Sequence, residues 1–271
     1  GVCICLYLVN YNYPVRDPMS SDLTCNVGGV SSVADKTCPV NAGSTITVKW
    51  HGGNDTASDG IIDASHLGPC LVYMVLLESN GQGDVWFKIF EEGYNSTTKL
   101  WCVDKIRANH GMLDVTLPSD IKAGDYLLRT EVIALQEAFA DYATTPAHGA
   151  QYYPNCAQVA VSGSGDAVPK GYAIPGIYHT NDPGIFFNIY MLYDNYMIPG
   201  PPVYVSGSDN IENSGSDDVN IAASNLDGET DNSSSQEEQM VSSAPVSSVP
   251  NSIYYTTMAV TLASMTNAIP I

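Results

Sequence analysis

Alternating or β-branched runs bounded by turn residues recur through the first two hundred residues and constrain the fold more than any other feature. They cover residues 44–50, 69–77, 85–90, 111–117, 124–135, 152–162 and 186–190. Helical periodicity is nearly absent. Only residues 131–142 could form a helix, and their Val132 and Ile133 suit a strand equally well. Strands of this length and spacing predict an all-β fold, an immunoglobulin-like or fibronectin-like β-sandwich with long loops.

The charge of the chain is strongly negative and unevenly distributed. The 271 residues include 29 acidic and 10 basic side chains, a formal net charge of −19. Such a balance argues against nucleic acid as a partner, because phosphate binding needs clustered Lys and Arg. Residues 206–248 contain no aromatic side chain and are rich in Ser, Asn and Asp. We therefore expect a folded domain over residues 1–204 and a disordered Ser/Asp/Glu-rich linker over residues 205–250.

The two ends of the chain each allow two interpretations. Residues 1–9 are apolar and form either the remnant of a secretion signal or a first strand, and we favour the strand. Residues 251–271 are weakly apolar and follow several small residues. This order resembles a glycolipid-anchor signal, and the alternative is a weakly hydrophobic disordered terminus. No uncharged apolar run reaches the length of a membrane-spanning helix.

Cysteines and glycosylation sequons indicate an extracellular protein. Seven cysteines suit an oxidising compartment, and an odd number leaves at least one unpaired. Cys70 lies inside an apolar run, so a buried free thiol is its simplest interpretation. The partners of Cys3, Cys5, Cys38 and Cys102 stay open. Asn-X-Ser/Thr sequons at Asn54, Asn95 and Asn232 fit a secreted glycoprotein.

Two segments carry candidate chemistry. His66 stands in Ser-His-Leu-Gly-Pro just before an apolar strand, where the Gly-Pro corner is expected to hold its imidazole rigidly, as a metal ligand requires. The second segment is Gly-Ala-Gln-Tyr-Tyr-Pro-Asn-Cys over residues 149–156. In a strand, the side chains of Gln151 and Tyr153 point to the same face, while Tyr152 points to the other. An amide and a phenol are therefore predicted side by side.

An ordered series of segments resembles one enzyme family. The segments are PVRD at 14–17 with Cys25-Asn26, residues 42–51, SHLGP at 65–69, WFKI at 86–89, PSDI at 118–121 with GDYLLR at 124–129, IAL at 133–135, GAQYYPNC at 149–156, PGIY at 175–178 with DPGI at 182–185, and IPGP at 198–201. They are similar to the fungal copper-dependent lytic polysaccharide monooxygenases of auxiliary activity family nine, formerly glycoside hydrolase family sixty-one. The similarity covers about seven-tenths of the chain, roughly residues 10–204.

The resemblance implies a function and a set of site residues. It implies a secreted, monomeric β-sandwich that holds one copper ion and cleaves cellulose or related β-1,4-glucans with an external electron donor and dioxygen or hydrogen peroxide. His66 falls on the internal copper ligand, Tyr153 on the axial tyrosine, and Gln151 on the glutamine that orients the oxygen species. The resemblance also implies a Cys25–Cys156 disulfide. Sugar stacking is expected of the later tyrosines, Tyr190, Tyr193 and Tyr196.

Two positions differ from the family pattern. The family's copper site also uses an N-terminal His, where this chain begins with Gly1, so either a preceding segment is missing or the site has lost two nitrogen donors. The family usually has His where this chain has Gln136, which can donate a hydrogen bond but cannot carry a proton. His148 could reach the site in its place or lie in solvent. The alternative function is a catalytically inactive member that binds glycans or copper at the cell surface.

Overall fold

The computed structural model describes residues 2–4, 13–28, 37–50, 60–207 and 261–264. Its regular elements are β1 (Val2–Ile4), β2 (Cys38–Asn41), β3 (Thr45–Lys49), β4 (Cys70–Leu76), β5 (Phe87–Glu92), β6 (Tyr94–Asn95), β7 (Leu100–Trp101), α1 (Cys102–Ala108), β8 (Met112–Thr116), β9 (Gly124–Ala134), β10 (Gln151–Ser162) and β11 (Thr261–Ser264). Short 3₁₀ helices span Ser21–Leu23 and Leu77–Ser79. Asn54, Asn232 and residues 208–250 of the predicted linker lie outside the described residues, as does most of the 251–271 segment.

Two sheets form the β-sandwich. One has the strand order β1-β11-β3-β8 and the other has the order β2-β10-β9-β4-β5. Pairing is antiparallel throughout both sheets except between β10 and β2, which are parallel. β6 and β7 form a separate two-stranded hairpin that leads into α1. The predicted all-β sandwich is confirmed.

The strands differ in burial, since some have one buried face and others are buried on both faces. Along β3 and β8 buried and more exposed positions alternate, as expected for strands with one face in the core and one in water. The inner strands β4, β9 and β10 are buried almost continuously, because loops cover the face of their sheet that points away from the sandwich core. In β4, Val72 and Met74 pack into the sandwich core, and Leu71 and Tyr73 pack beneath the loops.

One sequence prediction of secondary structure is wrong, and a segment left open between helix and strand is resolved. Residues 186–190 form turns and bends, because Asp182 starts a turn that accepts backbone hydrogen bonds from Ile185 and Phe186. Residues 131–142, for which the sequence leaves helix and strand both open, form the end of β9 and then turns, so Val132 and Ile133 lie in a strand. The α-helix that does form, α1, has only seven residues and lies elsewhere in the chain.

The disulfides confirm one expectation and correct another. Cys25 is bonded to Cys156 across 131 residues, as the resemblance implied, and this bond attaches the 13–28 segment to β10. Cys70 is not a free thiol. It is bonded to Cys102 at the start of α1, across 32 residues. Its burial in an apolar strand made it look unpaired, but Cys102 is equally buried beside it.

Candidate functional site

A tight turn holds His66 immediately before β4. The Asp63 side chain accepts hydrogen bonds from the backbone nitrogen and the hydroxyl of Ser65, at 2.8 and 2.7 Å, and the Asp63 carbonyl accepts from the His66 nitrogen at 3.0 Å. Such a turn fixes the backbone on which the imidazole stands. The His66 side chain is 27% exposed, so it reaches the surface without being surrounded by water.

The segment after His66 is attached to the end of β9. The Leu67 carbonyl accepts a hydrogen bond from the Leu135 nitrogen at 2.9 Å. Gly68 lies so close to β9 that a Cβ atom there would meet the Ile133 carbonyl oxygen at 1.8 Å. Only glycine allows this approach. The rigid placement predicted for His66 therefore has a structural basis in the Leu-Gly-Pro segment that follows it.

Gln151 and Tyr153 lie side by side at the start of β10, as predicted. The Tyr153 hydroxyl donates to Gln151 Oε1 at 2.8 Å, and His66 Nε2 lies 3.0 Å from the Tyr153 hydroxyl oxygen. Both β10 side chains are buried, with 6% of each residue exposed. An imidazole nitrogen, a phenol oxygen and an amide thus form one connected group at the end of the five-stranded sheet.

Sequence reasoning missed two charged members of this group. Glu137 Oε2 accepts a hydrogen bond from Gln151 Nε2 at 2.8 Å and lies 2.8 Å from Arg16 Nη1. Arg16 also donates to the Ala147 carbonyl at 3.2 Å. The backbone of Val15 pairs with Tyr152, which brings Arg16 next to Gln151. No local sequence pattern predicts this contact, since Arg16 and Glu137 are distant in sequence.

Burial and the two carboxylates act in opposite directions on the titratable groups. Burial lowers the pKa of His66, and the negative charges of Asp63 and Glu137 oppose this effect. Burial raises the pKa of Glu137, but hydrogen bonds from Arg16 and Gln151 outweigh it, so the pKa ends below the usual glutamate value. Burial raises the pKa of Tyr153 well above its usual value. At neutral pH the site therefore holds a neutral phenol and an ionised Glu137.

Gln136 and His148 lie next to this group, in the loop between β9 and β10. Gln136 Oε1 and His148 Nδ1 are both buried, and neither has a hydrogen-bond partner among the described residues. The His148 ring lies 5.4 Å from the ring of Phe139. His148 is thus packed against the loop and not directed into solvent.

The three later tyrosines differ in exposure. Tyr190 is 67% exposed, its hydroxyl donates to the Gln136 carbonyl at 3.1 Å, and its ring lies 6.4 Å from Phe139. Tyr193 and Tyr196 pack their rings against Trp101, with centroids 6.0 and 4.7 Å away. The Tyr196 hydroxyl also donates to the Gly184 carbonyl at 2.6 Å. Only Tyr190 of the three presents most of its side chain to solvent.

The donor set fits part of a copper site. His66 Nε2 lies 3.0 Å from the Tyr153 oxygen, and an imidazole with a weak oxygen donor suits Cu²⁺. The described part of the chain contains no group of three or more His, Cys, Asp or Glu side chains that could hold a metal ion. Within residues 13–207 as described, the chain therefore supplies two donors to such an ion.

The fold and this group of side chains define a β-sandwich protein in which a loop histidine faces a strand tyrosine at one end of the sheet. Residues 6–196 match the model of Auxiliary Activity family 9 (formerly GH61). The chain belongs to this family.

Relatives and solved structures agree with this assignment. The chain is 46% identical over 198 residues to the AA9 family lytic polysaccharide monooxygenase A of Aspergillus terreus, a match that covers 73% of this chain and 52% of that protein. It thus spans about half the length of this curated relative. Its fold matches CvAA9A at 40% identity with a TM-score of 0.70, over 74% of this chain and 89% of that one. It also matches a cellulose-active polysaccharide monooxygenase from M. thermophila at 31% identity with a TM-score of 0.58, over 75% and 88% of the two chains.

In the part of the chain that the structure describes, no helix has the length and apolar character of a membrane span.

Asn95 is exposed at the β6–β7 hairpin, and its side-chain oxygen accepts hydrogen bonds from the backbone of Thr97 and Thr98.

Proposed function

We propose that this chain is the catalytic domain of a secreted, monomeric, copper-dependent lytic polysaccharide monooxygenase that acts on cellulose or related β-1,4-glucans. Membership of family 9 supports oxidative cleavage of polysaccharides. The observation that carries the proposal is the hydrogen-bonded group of His66, Tyr153 and Gln151 at the end of the five-stranded sheet. A similar solved structure is that of a cellulose-active enzyme.

Each member of the group has a role in this proposal. His66 Nε2 and the Tyr153 oxygen hold the copper ion, and the bound ion supplies one-electron oxidation chemistry with an external electron donor and dioxygen or hydrogen peroxide. Gln151 Oε1 sets the direction of the Tyr153 hydroxyl by accepting a hydrogen bond from it at 2.8 Å. Because Gln151 is buried, water does not compete for this hydrogen bond.

Substrate binding is assigned to the exposed surface beside the site. Tyr190 offers an exposed ring for stacking on a sugar, and its hydroxyl is fixed by the Gln136 carbonyl in the loop that also carries Glu137. We assign Tyr193 and Tyr196, whose rings pack against Trp101, to substrate binding as well. We further propose glycosylation at Asn95 and Asn54, of which the exposed Asn95 lies within the described residues.

The test is direct detection of oxidised products. The protein is loaded with copper and incubated with a reductant and cellulose, and the soluble products are analysed by mass spectrometry. We expect oxidised oligosaccharides from the parent protein and none from His66→Ala. The control is His179→Ala, which removes an exposed histidine near Asp182. The first residue of the secreted protein is read by N-terminal sequencing, since a His there adds an amine and an imidazole to the donor set.

Copper that is bound tightly without oxidised products would contradict the proposal. The comparisons do not favour an inactive glycan-binding or copper-binding protein, but this outcome would support that alternative. A pull-down on insoluble cellulose then distinguishes a glycan-binding protein, which is retained, from one that is not.

A further inference from the structure

The two ends of the Gln151 amide meet different partners. Gln151 Nε2 lies 2.8 Å from Glu137 Oε2, and Gln151 Oε1 lies 2.8 Å from the Tyr153 hydroxyl. An ionised carboxylate can only accept hydrogen bonds, so the amide nitrogen must face Glu137. The amide oxygen then faces the Tyr153 hydroxyl.

This orientation determines where the Tyr153 proton lies. Because the amide oxygen accepts the phenol proton, the Tyr153 oxygen turns its lone pairs toward His66 Nε2, 3.0 Å away. In the metal-free protein this side of His66 therefore favours a hydrogen on Nε2, donated to Tyr153. A cation that replaces this hydrogen meets lone pairs on both the imidazole nitrogen and the phenol oxygen.

The other side of His66 favours the opposite tautomer. The Ser65 hydroxyl donates to Asp63 at 2.7 Å and lies 3.2 Å from His66 Nδ1. A hydroxyl that gives its hydrogen to Asp63 accepts one from Nδ1, which favours hydrogen on Nδ1. A neutral imidazole has one hydrogen for both sides, so its tautomer shows which side dominates.

Arg16 keeps Glu137 in place for this role. Its guanidinium lies 2.8 Å from Glu137 Oε2 and also donates to the Ala147 carbonyl at 3.2 Å. The Gly149 nitrogen donates to the Glu137 carbonyl at 3.0 Å, so the Glu137 backbone is held as well. The carboxylate is about one-third exposed, and these contacts restrict it to the direction of Gln151.

We propose that Glu137, held by Arg16, is a positioning residue that fixes the Gln151 amide and thereby turns the oxygen of Tyr153, and not its proton, toward the metal position at His66. Nothing in the family pattern of the sequence assigns this role. The inference rests on the proposed function for its importance to copper, but its geometric part is testable in the metal-free protein.

The first experiment measures the His66 tautomer. Metal-free protein with ¹⁵N-labelled histidine is studied by NMR at mildly alkaline pH, where the ring nitrogens with and without hydrogen have separate shifts. In Glu137→Met the amide is free to turn, and Tyr153 can donate to Nε2. We expect the ratio of the Nδ1–H to the Nε2–H form to rise about tenfold, as loss of one hydrogen bond to a charged group allows. An unchanged ratio in the folded variant would overturn the proposal.

Two further variants and a control separate positioning from general destabilisation. Glu137→Gln retains an acceptor oxygen and should keep the ratio within about twofold of the parent protein. Arg16→Met frees the carboxylate and should move the ratio in the same direction as Glu137→Met. If Glu137→Met fails to fold, these two variants decide the question, since equal ratios in both would oppose the proposal. The control, Glu92→Met, removes a similarly exposed glutamate that pairs with Lys105, and it should leave the ratio unchanged.

The second experiment uses Cu²⁺ alone as the probe. Titration followed by calorimetry should show about tenfold weaker binding in Glu137→Met than in the parent protein, with Glu92→Met unchanged. Equal affinities would remove the metal-directed part of the proposal. If the parent protein yields no oxidised oligosaccharides while the tautomer ratio still shifts, the proposed function fails and the positioning role stands. If oxidised products form and the tautomer ratio does not shift, the proposed function stands and the positioning role of Glu137 fails.

Discussion

At the scale of single residues, the Tyr153 hydroxyl is the junction of the site. It donates to Gln151 and lies within hydrogen-bond distance of His66. Tyr153→Phe leaves the buried Gln151 oxygen without a donor, so we expect the free energy of unfolding in urea to fall by about 1–3 kcal/mol. The matched control is Tyr126→Phe, which removes one hydrogen bond to the Lys122 carbonyl at 2.7 Å from a residue that is also in the sandwich core. An equal or smaller loss in Tyr153→Phe than in this control would contradict the role of Tyr153 as a junction.

The sequence predicts some of these residues and not others, and the reason is the range of the interaction. Gln151 and Tyr153 are two positions apart in one strand, so strand geometry alone places them together. The contact between Glu137 and Arg16 joins distant segments and depends on the pairing of Val15 with Tyr152. Short motifs contain no information about such a contact.

At the scale of elements, the Cys70–Cys102 disulfide connects β4 to α1, and β4 begins four residues after His66. Removing both sulfurs in Cys70→Ala with Cys102→Ala opens a loop closed across 32 residues, and we expect a loss of about 2–4 kcal/mol in the free energy of unfolding. Urea unfolding of the oxidised parent and of the double variant, whose Cys25–Cys156 bond stays intact, measures this loss. A double variant as stable as the parent would contradict the expectation.

A second element-scale contact depends on pH. Asp120 Oδ2 accepts hydrogen bonds from the Tyr204 hydroxyl at 2.8 Å and the Gly207 nitrogen at 2.7 Å, which ties the 201–207 segment to the turn before β9. Desolvation raises the pKa of Asp120, but these hydrogen bonds outweigh it and hold the pKa below 3.8. Since the folded pKa is the lower one, the stabilisation is fully present above pH 3.8 and is lost as the pH falls through the folded value.

The substitution Asp120→Asn removes the titratable carboxylate and with it the pH dependence of this stabilisation. The difference in unfolding free energy between the parent protein and the variant should therefore shrink when urea unfolding is measured at pH values falling from about 5 to about 2. A difference that stays constant over this range would show that the carboxylate does not gain stability from its charge.

The strands show how far sequence patterns determine the elements. Alternation in β3 and β8 and the continuous apolar run in β4 predict their positions, because burial on one or both faces follows from these patterns. β9 and β10 are different, since they also bury polar side chains such as Arg129, Glu131 and Gln158. Residues 186–190 have a similar apolar content, but Phe187 uses its ring to contact Trp101 and Tyr193 in an aromatic cluster on the loop. Apolar content without a partner strand thus produced the wrong prediction.

At the scale of the whole molecule, the distribution of charge affects binding to an extended surface. Residues 205–271 contain nine acidic side chains and no Lys or Arg, which leaves 20 acidic and 10 basic side chains in residues 1–204. Both parts of the chain are therefore negative. This negative charge does not affect binding of the protein to a neutral glucan surface, whereas a surface that carries carboxylates repels the protein.

This repulsion predicts a salt dependence that differs between two forms of one substrate. The Debye length is about 30 Å at 0.01 M salt and about 8 Å at 0.15 M, so added salt screens the repulsion over molecular distances. On carboxylated cellulose we expect the bound fraction to rise several-fold between these salt concentrations, and on unmodified cellulose it should change by less than about twofold. Depletion of protein from solution measures both fractions. Equal salt responses on the two materials would mean that the net charge of −19 plays no part in adsorption, because local contacts around Tyr190 would then dominate at every ionic strength.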